Sequence, residues 1–437
     1  MKNKWLFISI LIVGFIFVLA GIGFVVWQGL EQTNVADLGL NFLEGDLFSA
    51  ESDEEWTFEA EEDTELVIDS DGGDIIIEGA NTEEIQITAH KTAWQTTRAR
   101  AQEELDELSV TVTQTGDKIL VNYRKEPAVS FGRQQKNDTV DFTITVPQGA
   151  VVNAATDFGE IDLSGTLGDS AAVTKFGNLV ISGIRGDLEA ASSSGDILVE
   201  NVQAEAGLID LNSAFGNVSL ETARTGSINA HSNSGSVSLS GVDAGEEIQL
   251  SSDFGKIDFE QGSADELTIE ADSGKVSLST LEVTAALVVK NGYGDIQLSD
   301  VTADEYQLDT NSGKITLDVS GGNVKAVSDF GDVTVRSSAE ATLDLYTKSG
   351  TVEYAGPLGL GPHSLVTDFG DIEVYLPGET ALTFDLETDF GQLKTEFPIT
   401  LEGDVKQDHW RGTLNGGGAV LKATTNSGDI SFETLSR

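Results

Sequence analysis

Read for its apolar positions, most of this chain alternates. Ile248, Leu250, Ser252 and Phe254 lead up to Gly255, and Ile257 and Phe259 follow it, while Asp253, Lys256 and Asp258 fall between. The stretch around Gly274 does the same, with Leu267, Ile269, Ala271 and Ser273 before the glycine and Val276 and Leu278 after it. A period of two puts one face of a strand inward and the other into water. The glycine between the two half-strands marks a bend where the chain turns without a Cβ.

This unit repeats. A small or acidic residue, then Phe or Ser, then Gly, a polar residue and Ile, Val or Leu recur as DFGEI at Gly159, KFGNL at Gly177 and SSGDI at Gly195, and so on to Gly391. The twelve intervals from Gly159 to Gly391 average about 19 residues. Gly73 in DGGDI and Gly428 in NSGDI are outlying copies. One such unit cannot bury its apolar face alone, but stacked units can. The expected fold is therefore all-β: a β-helix or solenoid of ~19-residue repeats, a rod on the order of 60 Å long at one strand spacing per coil. The residue before glycine alternates between large and small, as Phe176, Ser194, Phe215, Ser234, Phe254 and Ser273, then Tyr293, Ser312, Phe330, Ser349 and Phe369. Parity places this column on the buried face, where large and small side chains would interleave. A ring ladder for a ligand is the competing reading.

Other segments depart from the rhythm. Residues 56–146 predict a small β-rich head, with strands such as Glu84–His90 and Thr139–Val146 and one amphipathic helix over 93–108, where Trp94, Ala101, Leu105 and Leu108 share a face. Residues 124–138 predict a polar loop. Residues 147–396 carry the solenoid, and 397–437 a degenerate repeat at His409–Gly412, a tight Asn415–Gly418 loop and a C-terminal cap. Ahead of all this, Trp5–Trp27 is uncharged and almost wholly apolar, long enough to cross ~30 Å of hydrocarbon as a helix. Lys2 and Lys4 precede it, so the N-terminus is expected inside and the rest outside. A cleaved signal peptide ending near Ala20 is the alternative, though the apolar run continues past it. Residues 1–30 thus predict a cytoplasmic flank and a single-pass anchor in a bacterial cell membrane, and 31–55 an acidic tether.

The chain has 437 residues, no cysteine, and a formal net charge of −48 from 73 acids and 25 bases. Disulfides, thiolate metal sites and cysteine nucleophiles are excluded. So much negative charge repels nucleic acid. One window differs: residues 91–136 hold eight bases against six acids. Arg124, Lys125, Arg133 and Lys136, on the expected loop, are therefore candidates to touch anionic lipid or a cell-wall polymer, and pairing with the chain's own carboxylates is the plainer alternative. Asp69, Asp71 and Asp74, in DSDGGD, are candidate calcium ligands, because hard cations take oxygen, though the twelve-residue loop with its closing Glu is absent. A simple acidic turn also accounts for them. No other cofactor is expected.

Little else suggests chemistry. The Asp-Phe-Gly triplets beginning at Asp157, Asp253, Asp329, Asp368 and Asp389 are repeat punctuation, since the remaining kinase motifs are missing. The four histidines, His90, His231, His363 and His409, are scattered. Stacked acids could in principle hydrolyse a polysaccharide, but no one pair stands out from its copies.

The segment Thr139–Ala150 (TVDFTITVPQGA) running into DFGEI, the SGDI-like units, and the ending GTLNGGGAVLKATTNSGDISFE together resemble the bacterial putative-adhesin family. The resemblance covers roughly residues 60–437 and implies a β-helix-like solenoid behind a membrane anchor, with a role in envelope attachment. It implies no catalytic residues. The expected function is thus a non-enzymatic, membrane-tethered envelope solenoid acting as adhesin or scaffold, with other envelope proteins as further candidate partners. The alternatives are a polysaccharide-binding or polysaccharide-cleaving β-helix and the ectodomain of an envelope-stress sensor.

Overall fold

A computed structural model describes residues 47–61, 64–125, 138–403 and 406–435. The expected membrane anchor, and residues 31–46 of the expected tether, lie outside the described residues. Residues Phe48–Arg437 form one compact unit.

The unit is a parallel β-solenoid. In each coil one strand runs up to the glycine and a second leaves it. Val151–Phe158 and Ile161–Ser164 make one coil, Ser170–Phe176 and Leu179–Ser182 the next, and matching strands pair in parallel with no shift in register. Alternate side chains of both strands point into a continuous aliphatic core. The residue two after each glycine, from Ile75 through Ile257 to Ile372, is fully buried. Burying one such side chain contributes roughly 1.5–3 kcal/mol.

The glycines stack as closely as backbone allows. A Cβ on Gly235 would overlap the carbonyl oxygen of Gly216, one on Gly313 that of Gly294, and so on along the column. Gly73 and Gly428 are full members: Gly159 sits on Gly73, Gly428 on Gly370, and Gly391 on Gly428. The first and last copies are therefore inserted one coil in from the ends. Glu65–Ser70 lies between Lys118–Tyr123 and Val151–Phe158. Ala419–Ser427 lies between His363–Phe369 and Leu382–Phe390.

Both ends are closed by antiparallel strands. Thr139–Pro147 is covered by Glu84–Gln95, which pairs along its whole length with Phe48–Glu59. Val110–Thr115 covers Lys118–Tyr123. At the other end His409–Leu414 runs antiparallel to Leu382–Phe390 and to Ile399–Leu401. Open parallel edges would otherwise template aggregation.

Four expectations change. Residues 48–55, placed in the tether, are strand. His409–Gly412 is a capping strand, not a degenerate coil. The head is not set apart from the array, because its strands Glu65–Ser70 and Ile75–Ala80 are coils of the same stack. Its helix, α1, is shorter than expected, Arg98–Glu107, with Thr97 accepting a bond from the Arg100 N–H at 3.3 Å. Ala93 and Trp94 continue the preceding strand, while Ala101 and Leu105 are the helix residues that are buried. Among the described residues no helix is long and apolar enough to cross a membrane.

Candidate functional site

The glycine corner carries three columns, and each has a different task. The inner one lies three residues before glycine. Its members are Ser, Thr or Asn in every coil but one, where Ala271 stands. Thr174 donates to the Gly159 carbonyl at 3.1 Å, Ser192 to Gly177 at 3.0 Å, Thr347 to Gly331 at 2.8 Å, and Asn291 to Gly274 at 2.8 Å through its amide. Each side chain is buried and ties its coil to the one before it. The regularity is visible in the sequence, but a search for apolar alternation passes over it.

A second column, one residue after glycine, faces outward. Where it is Asp or Asn, a side-chain oxygen accepts the backbone N–H of the equivalent residue in the next coil: Asn178 from Asp196 at 3.0 Å, Asp332 from Thr351 at 3.0 Å, Asp371 from Asp429 at 2.7 Å. These side chains hold the corner together.

The third column, one residue before glycine, overturns the packing expectation. Its rings are in solvent. Phe254 is 73% exposed, Phe330 57%, Phe369 61% and Tyr293 65%. Position −3 and position +2 are both buried, an odd number of residues apart, so the alternation must slip once at the corner. It slips before position −1. The reason is volume: coils that touch closely enough to exclude even a glycine Cβ leave no room inside the corner for a phenyl ring.

The outward column has a regular spacing. Ser273, Tyr293, Ser312, Phe330, Ser349 and Phe369 are successive register partners, so a ring appears on every second coil. In chain order the alternation fails after Phe369, because Phe390 follows it. In space it does not, since the inserted C-terminal coil places Ser427 between Phe369 and Phe390. Phe158 and Phe176 are the exception, on adjacent coils, stacked with centroids 5.0 Å apart and planes within 9°. Lys348 Nζ lies 6.0 Å from the centre of the Phe330 ring.

The acidic segment of the head does not gather around one point. The Arg124 guanidinium bridges Asp69 and Asp71, and the Lys125 backbone N–H donates to Asp71 at 2.7 Å. Hydrogen bonding to Asp69 raises the Arg124 pKa above its already high ordinary value. Asp74 points instead to the corner, where it accepts the Glu160 N–H at 2.9 Å. The structure therefore does not bring the three candidate calcium ligands Asp69, Asp71 and Asp74 together: two face Arg124, and the third is turned to the corner. Among the described residues no group of three His, Asp or Glu side chains could hold a metal ion. Of the four candidate loop bases, the two described ones meet the chain's own carboxylates: Arg124 pairs with Asp69 and Asp71, and Lys125 Nζ with Asp138 at 3.0 Å. Arg133 and Lys136 lie outside the described residues.

The histidines remain apart. His90 sits 2.7 Å from Asp53, whose hydrogen bond raises its pKa, and His409 sits 2.7 Å from Asp385. His231 bonds Ser251 at 2.7 Å. His363 is buried, its Nδ1 accepting from the Leu343 N–H at 3.3 Å and its Nε2 donating to the Gly359 carbonyl at 3.1 Å. Burial lowers its pKa.

A parallel two-strand solenoid with hydroxyl-lined corners, capped ends and an outward ring ladder defines a repeat protein whose surface is periodic along its length. Residues 64–261 and 260–433 match the model of the Toastrack DUF4097 family, and the chain belongs to that family. Among solved structures it is similar to a putative cell adhesion protein from Clostridium sporogenes ATCC 15579, over 88% of this chain and 100% of that one, at 9% identity and a TM-score of 0.16. It is also similar to a putative adhesin from Bacteroides fragilis NCTC 9343, over 67% and 97%, at 12% identity and a TM-score of 0.25. No curated protein matches the chain significantly.

Proposed function

We propose that this chain is a non-enzymatic, membrane-tethered rod of the bacterial cell envelope that serves in adhesion or as a scaffold. The observation that carries the reading is the ring column. A stack whose interior is closed by its own hydroxyls and carbonyls still exposes, among the described residues, eight large aromatic side chains along one edge. Contiguous or periodic apolar surface on a protein this acidic marks a contact surface. The acids available for catalysis are repeated from coil to coil, and many are bonded to backbone N–H groups. That arrangement suits a rigid, uniform surface better than a single reacting centre. The uncharged run Trp5–Trp27 with Lys2 and Lys4 before it supports the tether and its orientation.

Fractionation of cells producing the full chain, combined with protease treatment of intact cells, tests the reading. The chain is expected with the membranes, and its solenoid epitopes are expected to be lost to external protease once the wall is opened. Recovery in the soluble cytoplasm, protected until lysis, overturns it.

A further inference from the structure

We infer that the outward ring column is a binding strip for an extended, uncharged β-1,4-linked polysaccharide lying along the edge of the rod. This deepens the envelope reading and rests on it for the biological setting.

Register pairing puts Tyr293, Phe330 and Phe369 two coils apart, with Ser312 and Ser349 between them. At one strand spacing per coil, successive rings are separated by roughly 9.6 Å. The stacked pair at Phe158 and Phe176 agrees, with centroids 5.0 Å apart on neighbouring coils. An extended β-1,4-linked glycan turns its sugars over alternately and repeats once per disaccharide, a length matching two coils. Every second sugar can then present the same face to a ring.

The spacing also survives a change of chain order. Phe369 and Phe390 are neighbours in sequence order but not in the stack, because Ser427 comes between them. A column needed only for solubility or packing has no reason to keep the two-coil interval across that insertion. A ligand read by position along the rod does.

Charge narrows the occupant. Asp253, Asp329 and Asp368 sit directly beside Phe254, Phe330 and Phe369, Lys175 and Lys348 hold the same position in two other coils, and the chain as a whole carries a net charge of −48. Polyanions such as nucleic acid or uronate polymers are repelled, and so is a second copy of this chain. Neutral sugars are not. Their apolar C–H groups pack against the exposed ring surface, and their hydroxyls find carboxylate and serine oxygens on either side.

The test uses the full chain in mild detergent with three insoluble probes: cellulose and chitin, both β-1,4-linked, and a β-1,3-linked glucan of different repeat. The wild type is expected on cellulose or chitin and not on the β-1,3-glucan. The variant Phe254→Ala/Phe330→Ala/Phe369→Ala should lose binding by about tenfold or more, since three ring contacts are removed. Its melting temperature should stay near that of the wild type, because all three rings are exposed. Binding of the triple variant equal to wild type, or no binding of the wild type to either β-1,4-glycan, overturns the inference. So does sedimentation that shows a wild-type dimer lost in the triple variant, which would make the column a self-contact. Cell fractionation is scored separately: an envelope location with no glycan binding removes the strip and leaves the envelope reading, whereas glycan binding by a cytoplasmic chain does the reverse.

Discussion

Two side chains on either side of the same corner have opposite fates. Thr347 and Ser349 lie in one strand two residues apart, as do Ser328 and Phe330, and simple alternation would bury both members of each pair. The inner member is buried and bonded to the glycine carbonyl of the coil before it, as Ser328 is to Gly313 at 3.0 Å. The outer member is turned into solvent whether it is small or a phenyl ring. The difference teaches that identity does not set the side at this corner. Backbone approach does. Where two chains nearly touch, a short donor fits and closes the corner, and whatever follows it is forced outside.

The comparison breaks most visibly if the approach itself is blocked. Gly313 has no left-handed φ, so Gly313→Ala reports the clash with the Gly294 carbonyl alone. A loss of about 3 kcal/mol is expected, at the upper end for overpacking. Urea denaturation monitors it, and an unchanged midpoint would show that the coils can separate cheaply. Next in size is Thr347→Val, which keeps the volume and removes the hydroxyl that bonds Gly331 at 2.8 Å. Leaving that carbonyl without its partner should cost roughly 1–2 kcal/mol.

A buried polar group with a required protonation state gives a pH-dependent version of the same test. His363 needs a bare Nδ1 to accept from Leu343, and burial holds its pKa below the ordinary value of 6.5. A folded-state pKa lowered in this way contributes stability that is fully present above the unfolded value and lost as pH falls through the lowered one. Amide exchange at Leu343, corrected for intrinsic rate, should therefore lose protection between about pH 6.5 and more acidic conditions. Constant protection there would contradict the assignment.

Smaller effects sharpen the picture. Ala271 interrupts the inner column, and Ala271→Ser should restore a bond to the Gly255 carbonyl and add about 0.5–1 kcal/mol; a decrease in melting temperature would mean that the site lacks space. Smallest of all, Phe254→Ala should shift stability by no more than about 0.5 kcal/mol. A buried phenylalanine would cost roughly 3–5 kcal/mol, so this one measurement separates an outward ring from a core ring.

Much of the site was legible and some of it was hidden in plain view. The spacing of glycines specified the coil, and the large–small alternation before them was a real signal attached to the wrong face. The inner hydroxyl column stood in the sequence at Thr156, Thr174, Ser192 and onward, but short polar residues in a strand register as surface when only apolar period is counted. The acids of DSDGGD pointed to a cation and found one in Arg124, from a segment more than fifty residues away, which no local motif could supply.

What the sequence determined by itself is the local rule. A half-strand, a glycine and a second half-strand repeat at a fixed interval, and period-two alternation leaves each unit with an apolar face that only another unit can cover. What tertiary structure alone decided is the order and the sides. Gly73 and Gly428 look like any other copy, so nothing local says that each lies one coil inside its end; that follows from the capping strands, which need an outer edge to cover. The side taken by the ring column was settled by the close contact between glycines of successive coils, a distance between segments that touch in space and that no single repeat contains.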